Sequence, residues 1–259
     1  QRFPIWYAKS PTRFNDSILG VNKPSRFIAK WVQGCRHFMG LGRIGFSPWV
    51  FPCFVKKIVD HGCSDCIAKI ILTRGSGGRG YGCNGVLGPN RVISTHPLPQ
   101  HRQQWREQGV RLATLGGRLG TQPLLAGLKS LNRLEQVLLR REVEALGVDE
   151  GLCLDSEGML IEATAANLWW RCGDAWFTPS LVRCGVAGVM RQHLLQLFDA
   201  QGVRVHSGLS ERALLDDADE IALSNCTFGL VPVREFDGRL LPTMRVTRQL
   251  QQQLAEVMI

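Results

Sequence analysis

LKSLNRLEQVLLRREVEALGVDEGLCLDSEGMLIEATAANLWW (residues 128–170) holds a helix followed by paired strands, and so points to a mixed α/β architecture. After Lys129 the pattern is helical: Leu131, Leu134, Leu138 and Leu146 fall near one face, Ser130 is suited to cap the start, and Gly147 to end the helix. Lys129 therefore stands just ahead of a helix and not on its exposed side. Short strands follow, GLCLD and MLIEA around Ser156-Glu157-Gly158, then NLWWR and AWFTP around Cys172-Gly173-Asp174. A second helix is predicted over about 188–200, with Met190, Leu194, Leu197 and Phe198 near one face and Gly202 after its end. The last third alternates: strand VRV, helix ERALLDD capped by Ser210, strand EIALS, a hairpin turning at Asp237-Gly238, and an amphipathic helix from about Thr243. This is the pattern of a mixed α/β domain.

Working backwards, AKIILTRG and RVISTHPLP read as two strands joined by the glycine-rich GSGGRGYGCNGVLGPN. Glycine loops that cradle a nucleotide work by opening a helix. Here Asn84, Gly85, Gly88, Pro89 and Asn90 follow, where no helix can start, so the nucleotide reading is rejected. TLGGRLGTQPLLAG (114–127) reads as a linker. The expected organisation is a smaller α/β domain over 1–113, a linker over 114–127 and a larger α/β domain over 128–259. Glycines and prolines interrupt every candidate helix in the first 65 residues, and no internal repeat appears.

Composition narrows the partners. The chain has 259 residues and is 44% hydrophobic, enough for real cores, yet no apolar run reaches the roughly eighteen residues of a membrane span. No signal peptide is evident, and a start at Gln1 instead of Met points to a natural start further upstream. Nine cysteines form no even framework, which suits reduced thiols and a cytoplasmic location. His61, Cys63 and Cys66, with Cys53 and Cys83, lack the second close ligand pair of a structural zinc site, so no metal is expected and buried thiols are the simpler reading. Of the +9 net charge, the surplus lies early: residues 1–110 hold 16 Lys and Arg against 4 Asp and Glu, the remainder 15 against 18. The basic residues are spaced singly, without a basic helix or an aromatic-interleaved sheet, which argues against nucleic acid and suits a small polyanion.

Three features carry chemistry. A lone lysine is ordinarily a solvated charge, but a buried one becomes a nucleophile that forms Schiff bases, and Lys129 sits where its amine can point inward. Glu162 lies on a strand, opposite Ile161 and Ala163, among small alanines; it either faces water or pairs with a cation such as a protonated pyridine. Gly185-Val186-Ala187-Gly188 runs into a helix whose first amides suit an anion, or it is an ordinary turn.

Taken together, LKSLNRLEQVLL, IEATAANLWW and GVAGVMRQHLLQLF resemble the aminodeoxychorismate lyase branch of the fold-type IV pyridoxal phosphate enzymes, relatives of branched-chain and D-amino acid aminotransferases. RGSGGRGY (74–81) is similar to the same branch. The resemblance spans about residues 68–259. It implies a two-domain, D-amino acid aminotransferase-like α/β fold, a homodimer, and pyridoxal 5'-phosphate as cofactor. It further implies conversion of 4-amino-4-deoxychorismate to 4-aminobenzoate and pyruvate, a step toward folate, by Schiff-base chemistry at Lys129. An aminotransferase of the same fold, or a binding protein without catalysis, are the other readings. By resemblance Glu162 would hold the pyridine nitrogen protonated. Val186, Ala187 and Gly188 would give amides to the phosphate, and Asn225, Cys226 and Thr227 would add contacts from the opposite side. Tyr81 and Arg118 are the candidates for the substrate's two carboxylates. The family's Gly-Asp-Gly-x-Phe-x-Thr turn and His-x-x-Arg-Leu helix are absent from residues 1–65, where Arg36 is the nearest stand-in for the phosphate-binding arginine.

Overall fold

The computed structural model describes residues 5–8, 66–82, 85, 86 and 88–257, and the chain divides into two compact units after Leu98. The first contains a three-stranded antiparallel sheet in the order β1 (Ile5–Ala8), β2 (Cys66–Leu72), β3 (Arg91–Pro97). Among the described residues, no helix stands between the glycine-rich stretch and β3.

The second unit begins with helix α1 (His101–Gln108) and the long strand β4 (Val110–Leu119). Helix α2 (Leu134–Leu146) leads into β5 (Glu150–Asp155), β6 (Leu160–Ala163), β7 (Asn167–Cys172) and β8 (Ala175–Pro179). Helix α3 (Val189–Ala200) precedes β9 (Val205–Gly208), a 3-10 turn (Arg212–Leu215), β10 (Glu220–Asn225), β11 (Gly229–Phe236), β12 (Arg239–Leu240) and α4 (Arg245–Val257). The sheet order is β10-β11-β4-β5-β6-β7-β8-β9, and an added β10–β7 pairing closes the first six of these into a ring.

Strand alternation divides the core. On β7, Trp170 joins Leu168, Ile221, Leu223 and Val231 inside the ring, while its neighbour Trp169 packs outward on Met190, Leu194 and Phe198 of α3. A third cluster sets Leu139 and Val143 of α2 on Leu115, Leu119, Cys153 and Ile161. Each fully buried aliphatic side chain of this kind contributes roughly 1.5–3 kcal/mol.

Several expectations are corrected. The two compact units divide after Leu98, where a boundary at 113 was expected, and residues 114–119, read as part of a linker, form six of the ten residues of the strand that bridges β11 and β5. Glycines 116 and 117 disguise it: they sit at a bulge opposite β5, where the Glu142 carboxylate accepts both of their amides. Helix α2 starts at Leu134, and Ser130 does not cap it. Its buried side is Leu139 and Val143, whereas Leu131, Leu134, Leu138 and Leu146 are exposed. The predicted helix after Ser210 is only the 3-10 turn, without a side-chain cap.

Candidate active site

Three loops of the second unit meet at the ends of β6 and β7. The loop carrying Lys129 is tied to the one before α3 by a parallel bridge between Gly127 and Val186: Gly127 N–H donates to Gly185 O at 2.9 Å, and Ala187 N–H to Gly127 O at 3.1 Å. Gly185 has φ +84, and a Cβ there would press on Ile161 and Leu181, so no other residue fits this approach. Leu128 is buried and Lys129 half-buried.

Glu162 and Asn167 are register partners across β6 and β7, and both are only 5% exposed. Between them they grip the main chain of one residue. Val186 N–H donates to Glu162 Oε2 at 2.8 Å, and Asn167 Nδ2 donates to Val186 O at 2.7 Å. Burial pushes the Glu162 carboxyl up to about 7, against the pull of the Val186 amide and the charges of Lys129 and Arg133, with Glu150 adding to the rise. Lys129 and Glu162 are thus within electrostatic reach of each other.

Gly188 precedes α3 in an extended conformation with no side-chain cap and no acidic residue in the first turn. A Cβ at Gly188 would overlap Asn167 Oδ1, which explains the glycine. The first amides of a helix have no carbonyl one turn back to bond. That of Met190 bonds the Cys226 thiol, and the charge of Lys129 also reaches this thiol.

The structure redistributes the proposed phosphate contacts. The amides of Val186 and Ala187 are committed to Glu162 and Gly127, and that of Met190 to the Cys226 thiol, which leaves the amides of Gly188 and Val189 at the helix start. Asn225 stitches loops together: its Oδ1 accepts the amides of Thr227 and Phe228, both at 2.9 Å, and its Nδ2 donates to Ala165 O at 3.0 Å. The Thr227 amide is thereby also committed, while Cys226 stays at the helix start. Arg118 turns its Nη1 onto the carbonyls of Leu115, Gly116 and Gly117 in its own strand. Tyr81 belongs to the first unit and is 98% exposed. Arg36 lies outside the described residues, as do Cys53, His61, Cys63 and Cys83.

Sequence reasoning missed Asn167 and Glu150. A polar residue opening the aromatic run NLWW was the signal for the first. Glu150 is 1% exposed at the start of β5, and its carboxylate accepts the Thr164 hydroxyl and the Gly151 amide, which pins the turn after Glu162.

Comparison with known proteins agrees with this geometry. The amino-transferase class IV profile matches residues 54–236. An aminodeoxychorismate lyase of Vibrio harveyi is 40% identical over 187 residues, which is 71% of this chain and 69% of that protein. A putative branched-chain-amino-acid aminotransferase of Methanocaldococcus jannaschii is 28% identical, over 74% of this chain and 67% of its own length. The crystal structure of 4-amino-4-deoxychorismate lyase from Pseudomonas aeruginosa superposes with a TM-score of 0.81 at 37% identity, covering 98% of this chain and 90% of that one. With its strand ring and its lysine, carboxylate and helix-start loops in one unit, the chain belongs to the class IV aminotransferase family.

Proposed function

We propose that the protein is a pyridoxal phosphate-dependent lyase that converts 4-amino-4-deoxychorismate to 4-aminobenzoate and pyruvate. The observation that carries the reading is the buried Glu162, whose neighbourhood supplies the charges of Lys129 and Arg133 and whose Oε2 is aimed by the Val186 amide. A carboxyl held near 7 by burial gains its charge back when a cationic N–H is placed on it, and a pyridinium provides that group. The uncapped start of α3 suits the phosphate dianion. The residues fit the cofactor.

Bound there, pyridoxal phosphate supplies an electron sink for the carbanion left when the amine-bearing carbon loses its proton. The chain's own work is narrower. Lys129 Nζ would be the group that holds the cofactor and, as a free amine, would take the proton from that carbon. Glu162 would keep the ring nitrogen's proton in place. The amides of Gly188 and Val189 would hold the phosphate end, and the Glu162 carboxylate is itself shielded from water, its residue being only 5% exposed. Burial raises the Cys153 thiol well above its ordinary range and Cys184 to about 12, so neither competes with Lys129 as nucleophile.

Borohydride reduction of the loaded protein should attach the cofactor to the Lys129 peptide; labelling of another lysine would end the assignment. Pyruvate release from 4-amino-4-deoxychorismate, measured against amino transfer to a 2-oxo acid, separates the lyase from an aminotransferase. Gly188→Ala should weaken cofactor binding roughly ten- to hundredfold, because overpacking against Asn167 costs about 1–3 kcal/mol. An unchanged dissociation constant in a spectroscopic titration would remove the helix start from the site.

The reading includes a homodimer and a cytoplasmic location. Leu124, Leu134, Val137 and Leu138 leave an apolar surface for a second copy, and the thiols of Cys153, Cys172, Cys184 and Cys226 suit a reducing compartment. Among the described residues no helix is long and apolar enough to cross a membrane. Sedimentation of the loaded protein tests the dimer; a monomer would remove it.

A further inference from the structure

Arg133 has no part in the reaction as set out above, yet it is not a surface charge on α2. It is the residue immediately before that helix, it is half-buried, and its side chain turns back along the loop instead of running out to solvent. Its Nε donates to Ser130 O at 2.9 Å and its Nη2 to Leu128 O at 3.0 Å. One planar group therefore holds the carbonyls on both sides of Lys129. Burial lowers its proton affinity, opposed by the charges of Glu162 and Glu135, so the guanidinium stands within electrostatic reach of the same carboxylate as Lys129.

The groups facing Glu162 come from three segments. The loop before α2 brings the cations Lys129 and Arg133; β5 brings the carboxylate of Glu150 and the thiol of Cys153; the loop before α3 brings the thiol of Cys184. Only two of the five are positive, and one of these, Lys129, changes its charge whenever its amine takes up or passes on a proton. A guanidinium does not.

We propose that Arg133 is a positioning residue that fixes the peptide bearing Lys129 and gives Glu162 a permanent cationic neighbour. This rests on the assignment of Lys129 and Glu162 to the cofactor site. The fork geometry serves the first task and the fixed charge the second, so the two separate by substitution: lysine keeps the charge without a fork that spans two carbonyls, and glutamine keeps hydrogen bonding without the charge.

The test uses the full chain loaded with pyridoxal phosphate and reads the pH midpoint of the bound cofactor's visible absorption together with kcat and KM. Removing a cation from a partly buried site favours protonation, so Arg133→Gln should raise the midpoint by about one pH unit. Arg133→Lys should return the midpoint close to that of the unaltered protein while kcat stays roughly tenfold down, because the Lys129 peptide has lost its clamp. A midpoint that does not move in Arg133→Gln would overturn the charge role, and an unaltered kcat in Arg133→Lys would overturn the clamp. If Arg133→Gln does not fold, Arg133→Lys alone still decides the clamp, and Arg133→Met, of similar length and uncharged, replaces it for the midpoint. Borohydride labelling at Lys129 of the unaltered protein keeps the two levels apart: labelling with an unmoved midpoint ends only the proposal, whereas labelling elsewhere ends the assignment beneath it.

Discussion

Lys129→Ala should leave a folded protein with turnover reduced roughly a thousandfold or more. A positioned general base alone contributes about 10²–10⁴, and the same side chain also provides the covalent attachment. The fold should survive because what anchors this loop is main chain and Arg133: the Gly127 bonds to Gly185 and Ala187, and the guanidinium on the carbonyls of Leu128 and Ser130. Circular dichroism and a melting curve close to that of the unaltered protein, with pyruvate release lost, is the expected pair of results. Retained turnover would place the chemistry on another amine. A melting temperature lowered by many degrees would instead make Lys129 a packing residue.

Glu162→Gln has the next largest expected effect, a fall in kcat of roughly a hundredfold or more with cofactor still bound, since an amide can accept the Val186 N–H but cannot hold the ring nitrogen's proton. Turnover close to normal would make Glu162 a structural carboxylate. The same variant reports on pH. In the cofactor-free protein the Glu162 carboxyl titrates near 7, above its ordinary 4.5. The folded state therefore binds the extra proton between these values, so its stabilising effect is complete below about pH 4.5 and is lost as pH rises through about 7, amounting to about 3 kcal/mol. Melting temperature should fall across that window in the unaltered protein and fall less in Glu162→Gln. Glu150, also raised by burial, contributes in the same direction and accounts for the slope that remains. Equal slopes in both proteins would place the proton elsewhere.

The hairpin strands were legible because their turns are local. Gly158 and Gly173 sit at left-handed φ values of +83 and +58 between runs of apolar residues, and Asp237 with Gly238 does the same at the last hairpin. Strand β4 was not legible, since its two glycines imitate a linker and the groups that satisfy their amides come from Glu142 on α2, more than twenty residues on. The face of α2 was misread for a different reason. The helix has apolar residues on two sides, and spacing does not say which of Leu134 and Leu138 or Leu139 and Val143 meets the sheet. At the site, residue types and the family resemblance nominated Lys129, Glu162 and the helix start, which the fold places in neighbouring loops and strands. Which amides remained for an anion depended on the pairing of Gly127 with residues 185–187, a contact that only the folded chain makes.

That pairing has one more consequence. The link between the amine-bearing loop and the helix start is built from peptide groups, so replacing the side chains of Val186 or Ala187 leaves it in place, whereas proline, a change of loop length or a side chain at Gly185 would undo it. The spacing between the two ends of the site is in this sense protected from most single-base mutations, while the chemistry of its walls stays open to drift. A scaffold of this kind can exchange one substrate for another over generations without ever losing its grip on the same cofactor.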